Sequence, residues 1–598
     1  MTLALPSSLD LAVVGNCAWS TLIDGAGTVV WGCLPGVDGD PWFHALLSGE
    51  APDQGFWAVD LEGFVGSEQH YRRNSAVLET ILRSADGSAV EIVDCAPRFT
   101  QFGRLFRPTM LVRQIRPLAG TPRIRIRLRP GHSWGAERPQ VTRGSNHARY
   151  VAPDLTKRLY TNASLGYVMN ERWFLLERDA CFLLGPDESL REAVQPTVER
   201  MIVETDHYWR AWARGLSIPF EWQDAVIRAA ITLKLCNVEE TGAIVAALTT
   251  SVPEAPDSGR NWDYRYCWLR DSYFTVNALN RLGTTQTMEG YLHWILNVVA
   301  GAPDGYLQPM FGVELQTEIE ERTVDHLPGY RGMGPVRLGN AAYKQVQNDG
   351  YGSVILAATH VFFDRRLINQ GDGHLFHRLE ALGEQARRRF DQPDAGPWEY
   401  RNTQLPHTYS ALLCWAACDR LGRIAAHLGH AGRAAYWQEE AARIHGIILE
   451  RAWSEERQSF VSAFDGDRLD ASLLLIPQLG FLPARDPKFL ATLHAIESEL
   501  KSGDYLYRYV AEDDFGRPET AFAICSFWYV DALAAVGRKD EARALFEKIL
   551  GHRNHLGLLS EDIDPVTGQL WGNFPQTYSM VGIIHSAMCL SRGWEDAT

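Results

Sequence analysis

The most constraining feature of the sequence is a series of amphipathic segments that runs from residue 223 to residue 590. In each segment apolar residues recur at intervals of three and four, the pattern of a helix with one buried face. The twelve predicted helices are Gln223–Cys236, Asp271–Leu282, Gln286–Val299, Gln345–Phe363, His374–Phe390, Tyr409–Leu428, Ala431–Ala452, Arg468–Ile476, Pro487–Leu500, Glu519–Val536, Lys539–Leu550 and Thr577–Leu590. Helices in series pair as antiparallel hairpins, so this count fits a toroid of six inner and six outer helices. An α-solenoid would have the same count, but the sequence shows no repeat of fixed length and its connections are long and uneven.

The first 190 residues have a different pattern, with short β-rich runs separated by glycine, asparagine and aspartate. The predicted strands include Leu11–Val14, Ser20–Ile23, Val29–Leu34, Ala76–Arg83, Val90–Cys95 and the strictly alternating Arg123–Arg129. We interpret the arginines of the last run as one wet face of a sheet rather than as a basic binding stripe. Many short strands with turns between them predict an antiparallel β-sandwich.

These patterns divide the chain into three parts. We predict a β-sandwich over residues 1–190, a linker helix over residues 191–216 and a helical domain over residues 217–598. The fold class is therefore multidomain α+β, with an N-terminal antiparallel β-sandwich followed by a ring of helices.

Composition excludes several classes of partner. The 598 residues carry a formal net charge of -15, which argues against nucleic acid or an anionic membrane surface and fits a neutral small molecule. The N-terminus lacks a signal-peptide pattern, and we find no apolar run of bilayer length. Ten cysteines in a chain of this length, none in a CxxC pair, indicate a reduced, cytoplasmic protein. The pair His552 and His555 lacks further ligands, so we predict no metal site and no cofactor.

The stretch Asn261–Ser272, NWDYRYCWLRDS, combines four aromatic residues with the adjacent pair Arg270 and Asp271. Aromatic faces suit the apolar faces of sugar rings, and an arginine beside an aspartate can bracket vicinal hydroxyl groups. Taken alone, the stretch favours an ion-paired, aromatic-rich corner of the core over a sugar site.

Two glutamates have surroundings that suit acid–base catalysis. Glu399 lies between aromatic residues in the loop sequence GPWEYR, and Glu561 lies in LLSED, just before the polar and aromatic loop WGNFPQ. A carboxyl group against apolar surface keeps its proton to higher pH, as a general acid requires. Asp513, Asp514 and Glu519 are alternative carboxylates, and each glutamate alone could equally be an ordinary surface residue.

Four separated motifs resemble, in order, the glycoside hydrolases of family 15, which include glucoamylases and bacterial trehalases. The motifs are NWDYRYCWLRDS, GYRGMGPVRLGNAAYKQVQNDGYG, PWEYR and LLSEDIDPVTGQLWGNFPQTYS. The N-terminal sequence GNCAWSTLIDGAGTVVWGCLPGVDGDPWF resembles the β-sandwich of the trehalase-like branch. Two positions depart from the family pattern: Asn402 replaces the usual glycine after PWEYR, and Met580 replaces the usual histidine after GNFPQTYS.

The resemblance implies a catalytic (α/α)6 barrel that works without a metal and inverts the anomeric centre. By motif position it implies that Glu399 is the general acid and Glu561 the general base. It also implies a set of substrate-binding residues, namely Trp268, Arg270, Asp271, Trp398, Arg508, Arg337, Asn340 and Trp571.

The expected activity is exo-hydrolysis of a short α-glucoside from its non-reducing end, with release of β-glucose. Trehalose is the preferred prediction, and maltose, isomaltose and longer α-glucans, as in a glucoamylase, stay open. A non-catalytic carbohydrate-binding protein on the same barrel is the alternative from a different class. The sequence leaves a homo-oligomer open.

Overall fold

A computed structural model of the chain describes residues 8–595. Residues 1–7 and 596–598, the outer ends of the two predicted domains, lie outside the described residues. Within residues 8–595 we find no helix with the length and apolar character needed to cross a bilayer.

The N-terminal part consists of two large antiparallel sheets, a two-stranded sheet and a short helix, α1 (Leu165–Met169). Its strands are β1 (Leu11–Gly15), β2 (Ser20–Asp24), β3 (Val29–Leu34), β4 (Asp40–Phe43), β5 (Phe56–Leu61), β6 (Phe64–Tyr71), β7 (Leu78–Ser84), β8 (Ala89–Cys95), β9 (Phe99–Gln101), β10 (Arg104–Phe106), β11 (Leu111–Ala119), β12 (Arg123–Arg129), β13 (Gln140–Arg143), β14 (His147–Val151), β15 (Thr156–Thr161), β16 (Phe174–Leu175) and β17 (Ala180–Pro186). One large sheet has the order β1-β2-β3-β5-β12-β16, with β4 on β3, and the other has the order β13-β14-β15-β17-β11-β8-β7-β6, while β9 and β10 form the two-stranded sheet. The predicted β-sandwich is thus confirmed.

The alternating strand β12 carries its arginines in ion pairs with neighbouring elements. Arg125 and Arg127 both bind the carboxylate of Asp60 on β5, and Arg129 binds Glu171. These pairs neutralise the cationic stripe, so the arginines serve the structure of the sheet, but Arg127 is only 7% exposed and the face is more covered than the wet face that the sequence analysis expected.

Helices make up most of the rest of the chain. They are α2 (Val194–Arg214), α3 (Gln223–Leu235), α4 (Leu269–Arg281), α5 (Thr285–Ala300), α6 (Asp349–Phe363), α7 (Gly373–Arg389), α8 (Thr408–His427), α9 (Ala431–Arg451), α10 (Ile476–Leu479), α11 (Pro487–Leu500), α12 (Ala523–Val536), α13 (Lys539–Gly551) and α14 (Thr577–Leu590). A 3₁₀ segment, Ala471–Leu475, leads directly into α10, so the helix predicted at 468–476 begins later and is more tightly wound at its start. Asp470 explains that start, because its side chain accepts a hydrogen bond from the amide of Ser472.

The helices from α3 to α14 form a closed double ring. The inner ring runs α4, α6, α8, the 3₁₀ segment with α10, α12 and α14, and α14 packs back onto α4. The outer helices α3, α5, α7, α9, α11 and α13 each pack against this inner ring. This is the (α/α)6 barrel; inner helices such as α8, α12 and α14 are buried over nearly their whole length.

The loops between the helices contain two-residue strands. They are β18 (Cys267–Trp268), β19 (Met310–Phe311), β20 (Arg322–Thr323), β21 (Arg337–Leu338), β22 (Trp453–Ser454), β23 (Ser459–Phe460), β24 (Lys501–Ser502), β25 (Tyr505–Leu506), β26 (Ala521–Phe522), β27 (Asp562–Ile563) and β28 (Leu570–Trp571). The strands β26, β27 and β28 form a small sheet that holds the segment on either side of Glu561.

The sandwich packs tightly against the barrel. The indole of Trp31 donates to the carbonyl of Leu248 at 2.8 Å, and the buried guanidinium of Arg265 donates to the carbonyl of Gly39 at 2.8 Å. Arg265 is paired with Asp263, in the middle of the aromatic stretch. The sandwich therefore helps to position the loop that precedes α4.

Candidate active site

The six inner segments all begin at the same end of the barrel. The loops before them line one cavity: Trp268 precedes α4, Gln345 precedes α6, Glu399 precedes α8, and Glu561 precedes α14. Helix N-termini present unpaired amide groups and a partial positive charge. This end of the barrel therefore offers backbone donors that suit hydroxyl groups.

Glu399 is held firmly by one of its two carboxylate oxygens. Oε1 accepts hydrogen bonds from Trp268 Nε1 at 2.6 Å, from Arg270 Nη2 at 3.0 Å and from Gln347 Nε2 at 3.2 Å. No described residue hydrogen-bonds Oε2. The backbone of Glu399 has φ 61°, in the left-handed region that a residue with a side chain rarely adopts. Such strain is found at functional sites, where the surrounding contacts outweigh its cost.

Glu561 is almost fully buried, with 1% of its surface exposed. Oε1 accepts a hydrogen bond from the hydroxyl of Tyr264 at 2.7 Å, whereas Oε2 is buried without a partner among the described residues. Burial raises the pKa of Glu561 well above its usual value, and the nearby carboxylates of Glu254 and Asp562 raise it further. An unpartnered buried carboxylate oxygen is suited to bind a water molecule or a sugar hydroxyl.

An aromatic pair stands between the two glutamates. Tyr264 holds Glu561, Trp268 holds Glu399, and the two rings pack edge to face with their centroids 5.4 Å apart. Each ring of this pair therefore fixes one of the two carboxyl groups. Both glutamates line the same cavity.

Arg270 and Asp271 lie in the first turn of α4 and both line the cavity. Arg270 donates hydrogen bonds to both Gln347 and Glu399. The carboxylate of Asp271, in contrast, accepts no hydrogen bond from any described residue. Burial raises the pKa of Asp271 to about 7, against the lowering effect of Arg270. Asp271 is therefore a free acceptor beside a fixed donor.

Three further predicted residues line the cavity. The half-buried Trp398 donates from Nε1 to Asp470 at 3.1 Å, Arg508 donates to Glu254 at 2.7 Å, and Asn340 donates to the carbonyl of Asp263 at 3.3 Å. All three side chains are held from behind by other residues, so their cavity-facing atoms are preorganised.

The structure does not bring the other two predicted residues to the cavity wall. Arg337 binds Glu321 at 3.0 Å and lies over the ring of Trp262. Trp571 is buried on β28 behind Glu561, where it pairs in register with Asp562. A direct contact of either residue with substrate has no support in this geometry.

The alternative carboxylates take supporting positions. Asp513 and Asp514 also line the cavity, but both are engaged: Arg260 binds Asp513 at 2.5 Å, and Asp514 accepts the backbone amides of Arg401 and Asn402 at 2.7 and 3.1 Å. Glu519 is exposed and does not line the cavity.

The two positions that depart from the family pattern lie apart from the cavity lining. Asn402 is exposed at the rim of the PWEYR loop. Met580 is fully buried within α14. Neither side chain lines the cavity.

The sequence analysis gave no role to several residues that line the cavity. They are Glu254, Trp262, Tyr264, Gln345, Tyr400, Trp528, Gln576 and Tyr578. Trp262 and Tyr264 had a signal, since they belong to the aromatic stretch. Glu254 had none, because its partner Arg508 follows it by more than 200 residues.

The site thus combines a wall of aromatic residues, the donor Arg270 beside the acceptor Asp271, and two separate carboxyl groups at the mouth of an (α/α)6 barrel. This combination of fold and site defines a glycoside hydrolase, since hydrolysis of a glycosidic bond needs two carboxyl groups in one sugar-sized cavity.

Comparisons with known proteins agree with that class. The model of the family described as "Glycosyl hydrolases family 15" matches residues 222–588. A trehalase of Mycolicibacterium smegmatis is 32% identical, over 99% of this chain and 92% of its own length. A trehalase of Thermoplasma volcanium is 30% identical, over 96% of this chain and 92% of its own length. The chain therefore belongs to glycosyl hydrolases family 15 and is an α-glucoside hydrolase.

A solved structure shows the same architecture. A bacterial glucoamylase complexed with acarbose matches with a TM-score of 0.70 at 13% sequence identity, covering 98% of this chain and 94% of its own. At this identity the match concerns the fold alone, and it includes both the sandwich and the barrel.

Proposed function

We propose that this enzyme is an inverting, exo-acting trehalase in which Glu399 is the general acid and Glu561 the general base. The observation that carries the proposal is that these two carboxyl groups, from separate loops, face one cavity on opposite members of the Tyr264–Trp268 pair. An inverting enzyme needs its two carboxyl groups roughly 6.5–9.5 Å apart, so that a water molecule fits between the base and the sugar.

Glu399 supplies the proton to the glycosidic oxygen. Its Oε1 is occupied by Trp268, Arg270 and Gln347, which leaves Oε2 as the oxygen from which the proton is transferred. Once the proton has left, the same three donors stabilise the carboxylate that forms.

Glu561 removes a proton from the attacking water. The Tyr264 hydroxyl fixes the carboxylate through Oε1, and Oε2 has no hydrogen-bond partner among the described residues. A raised pKa makes this carboxylate a stronger base than an exposed glutamate. The water attacks the anomeric carbon from the face opposite the leaving oxygen, and the first product is β-glucose.

The glucose at the closed end of the cavity is held by Arg270, Asp271 and Arg508, with Trp268 and Trp398 as walls. Arg270 and Arg508 are donors and Asp271 is an acceptor, so together they match a ring of hydroxyl groups. Asn340 and the amide groups at the helix N-termini add polar contacts.

Trehalose is the substrate that the relatives favour, because the named trehalases match this chain along nearly their full length. Maltose, isomaltose and malto-oligosaccharides are the alternatives, and the glucoamylase with the same fold is consistent with them. Initial rates on trehalose, maltose, isomaltose and maltotriose, measured side by side, test the choice. A kcat/KM for trehalose below that for any of the others would overturn it.

Two conservative substitutions test the catalytic roles. Glu399→Gln and Glu561→Gln remove the proton donor and the base and keep the shape of each side chain. We expect each to lower kcat on trehalose by at least about a thousandfold, since both act in the chemical step. Glu519→Gln, an exposed carboxylate outside the cavity, is the matched control and should keep wild-type activity.

The same variants separate the enzyme from a carbohydrate-binding protein on this barrel. If wild-type protein binds trehalose without hydrolysing it, the assignment as a trehalose hydrolase is wrong. If either glutamine variant keeps most of its activity while its fold is intact by circular dichroism, the assignment of that carboxylate is wrong.

We also propose the boundaries of the parts and the compartment. A β-sandwich over residues 1–190, a linker helix over 191–216 and a catalytic barrel over 217–598 fit the end of β17 at Pro186 and the helix α2 over Val194–Arg214. The ten free cysteines favour the reducing cytoplasm, which cell fractionation tests.

A further inference from the structure

The inner helices end at the face of the barrel opposite the substrate cavity. There α12 and α14 bring together Asp531, His585 and Cys589, none of which lines the substrate cavity. Their donor atoms all lie within 4.8 Å of one another. Cys589 is exposed, whereas the other nine cysteines of the chain are buried.

The three side chains converge on one point. His585 Nδ1 lies 2.8 Å from Asp531 Oδ2 and 3.7 Å from Cys589 Sγ. A tetrahedral zinc ion with ordinary bond lengths holds a sulfur and a nitrogen ligand about 3.5 Å apart. The sulfur–nitrogen spacing therefore already matches zinc coordination, and a small movement of the aspartate would complete it.

The surroundings support a cation at this point. His585 and Cys589 are four residues apart on α14, so both project from one face of the helix. The site lies in the last turns of α12 and α14, and the C-terminal ends of helices carry partial negative charge. Ser586 donates to the second oxygen of Asp531 at 2.8 Å, which orients the carboxylate.

A groove beside the three residues leaves room for a further ligand. Gln478, Pro477 and Leu482 line it together with Asp531, His585 and Cys589. The guanidinium of Arg281 donates to Cys589 Sγ at 3.4 Å and so orients the thiol at the edge of this groove.

From this arrangement we infer that Asp531, His585 and Cys589 form a binding site for one Zn²⁺ ion, with water from the groove as the fourth ligand. A stabilising His–Asp ion pair would explain two of the residues, but it gives no reason for the exposed thiol one turn further along α14. The inference concerns metal binding only and does not depend on the proposed catalytic roles.

Calorimetric titration of the reduced, metal-free protein with Zn²⁺ tests the inference. We expect one ion per chain, and Cys589→Ser should weaken binding by roughly a hundredfold or more, since it removes a ligand. His555→Gln, which removes an exposed histidine elsewhere, is the matched control and should leave the affinity unchanged. Because Cys589 is exposed, its replacement should not disturb folding.

A cobalt spectrum identifies the ligands independently. Co²⁺ bound to the wild-type protein should show a thiolate-to-cobalt charge-transfer band that Cys589→Ser lacks and Asp531→Asn alters. Zn²⁺ should also protect Cys589 from alkylation, measured by mass spectrometry. Absence of Zn²⁺ binding, equal affinity in Cys589→Ser, or an equal loss in His555→Gln would overturn the inference.

Discussion

At the scale of single residues, the environment of Glu561 determines how the enzyme responds to pH. A general base must be ionised, so activity falls on the acid side as this group takes up a proton. Burial and the neighbouring carboxylates Glu254 and Asp562 raise the pKa of Glu561. The acid limb of kcat/KM should therefore lie well above pH 4.5, the usual value for glutamate.

The Tyr264 hydroxyl opposes that rise, because its hydrogen bond stabilises the ionised form of Glu561. Tyr264→Phe should move the acid limb of kcat/KM to still higher pH, in addition to any loss of rate. The pH–rate profiles of the two proteins on trehalose measure this shift. A limb at or below pH 4.5 in the wild type, or an unmoved limb in the variant, contradicts the assignment of Glu561 as the base.

Sequence reasoning identified many of the residues that line the cavity, because its motifs place aromatic and charged residues next to each other. Trp268, Arg270 and Asp271 are examples, and all three line the cavity. The sequence carries no signal for Glu254, because only folding brings it next to Arg508. Trp571 shows the opposite failure: its type suits a sugar, but its strand turns it away from the cavity.

At the scale of elements, the turn between Glu561 and α14 controls the position of the base. Gly572 has φ 76°, and a Cβ there would lie 2.6 Å from the Cβ of Glu561. Only glycine fits so closely behind the carboxylate of Glu561. The hairpin β27–β28 therefore acts as the back support of Glu561.

Gly572→Ala should displace Glu561 and lower kcat by at least about a hundredfold, because a shift of about 1 Å is enough to disrupt catalysis. Gly568→Ala is the control: it lies in the same hairpin with φ 71°, but its Cβ would meet only the side chain of His552. It should cost about 1–2 kcal/mol of stability with little effect on kcat. Equal rates for the two variants would show that Gly572 does not position the base.

The elements themselves were largely predictable. The period of the apolar residues identified the outer helices because each packs one face against the ring, whereas inner helices such as α12 and α14 are apolar and buried nearly all round. The predicted bounds 468–476 were less accurate. Here the side chain of Asp470 caps a 3₁₀ segment and Pro477 lies at the start of α10, and periodicity reveals neither feature. The choice between a closed ring and a solenoid depends on contacts between distant helices, such as α14 on α4.

At the scale of the whole molecule, buried charges join the sandwich to the barrel. Glu239, in the loop after α3, binds Arg98 of the sandwich at 2.7 Å and Lys234 of α3 at 2.6 Å. Both cations are almost fully buried, with 2% and 4% of their side chains exposed. Loss of the carboxylate would leave two buried positive charges unpaired at the interface.

Glu239→Gln should therefore lower the free energy of unfolding by about 3 kcal/mol or more. Glu62→Gln is the matched control, because its partner Arg123 and Glu62 itself are about half exposed, and such pairs contribute less than about 1 kcal/mol. Urea unfolding monitored by tryptophan fluorescence compares the two. Equal losses would mean that the buried network does not hold the two parts together.

The central claim is that a proton donor and a water-activating base act from opposite sides of one bound glucose. The configuration of the newly released sugar reports this geometry directly. Proton NMR during the first turnovers of trehalose, before mutarotation, should show one β-glucose for each α-glucose, the β-anomer from the attacked ring and the α-anomer from the leaving ring. Release of α-glucose alone would mean retention and would contradict the account.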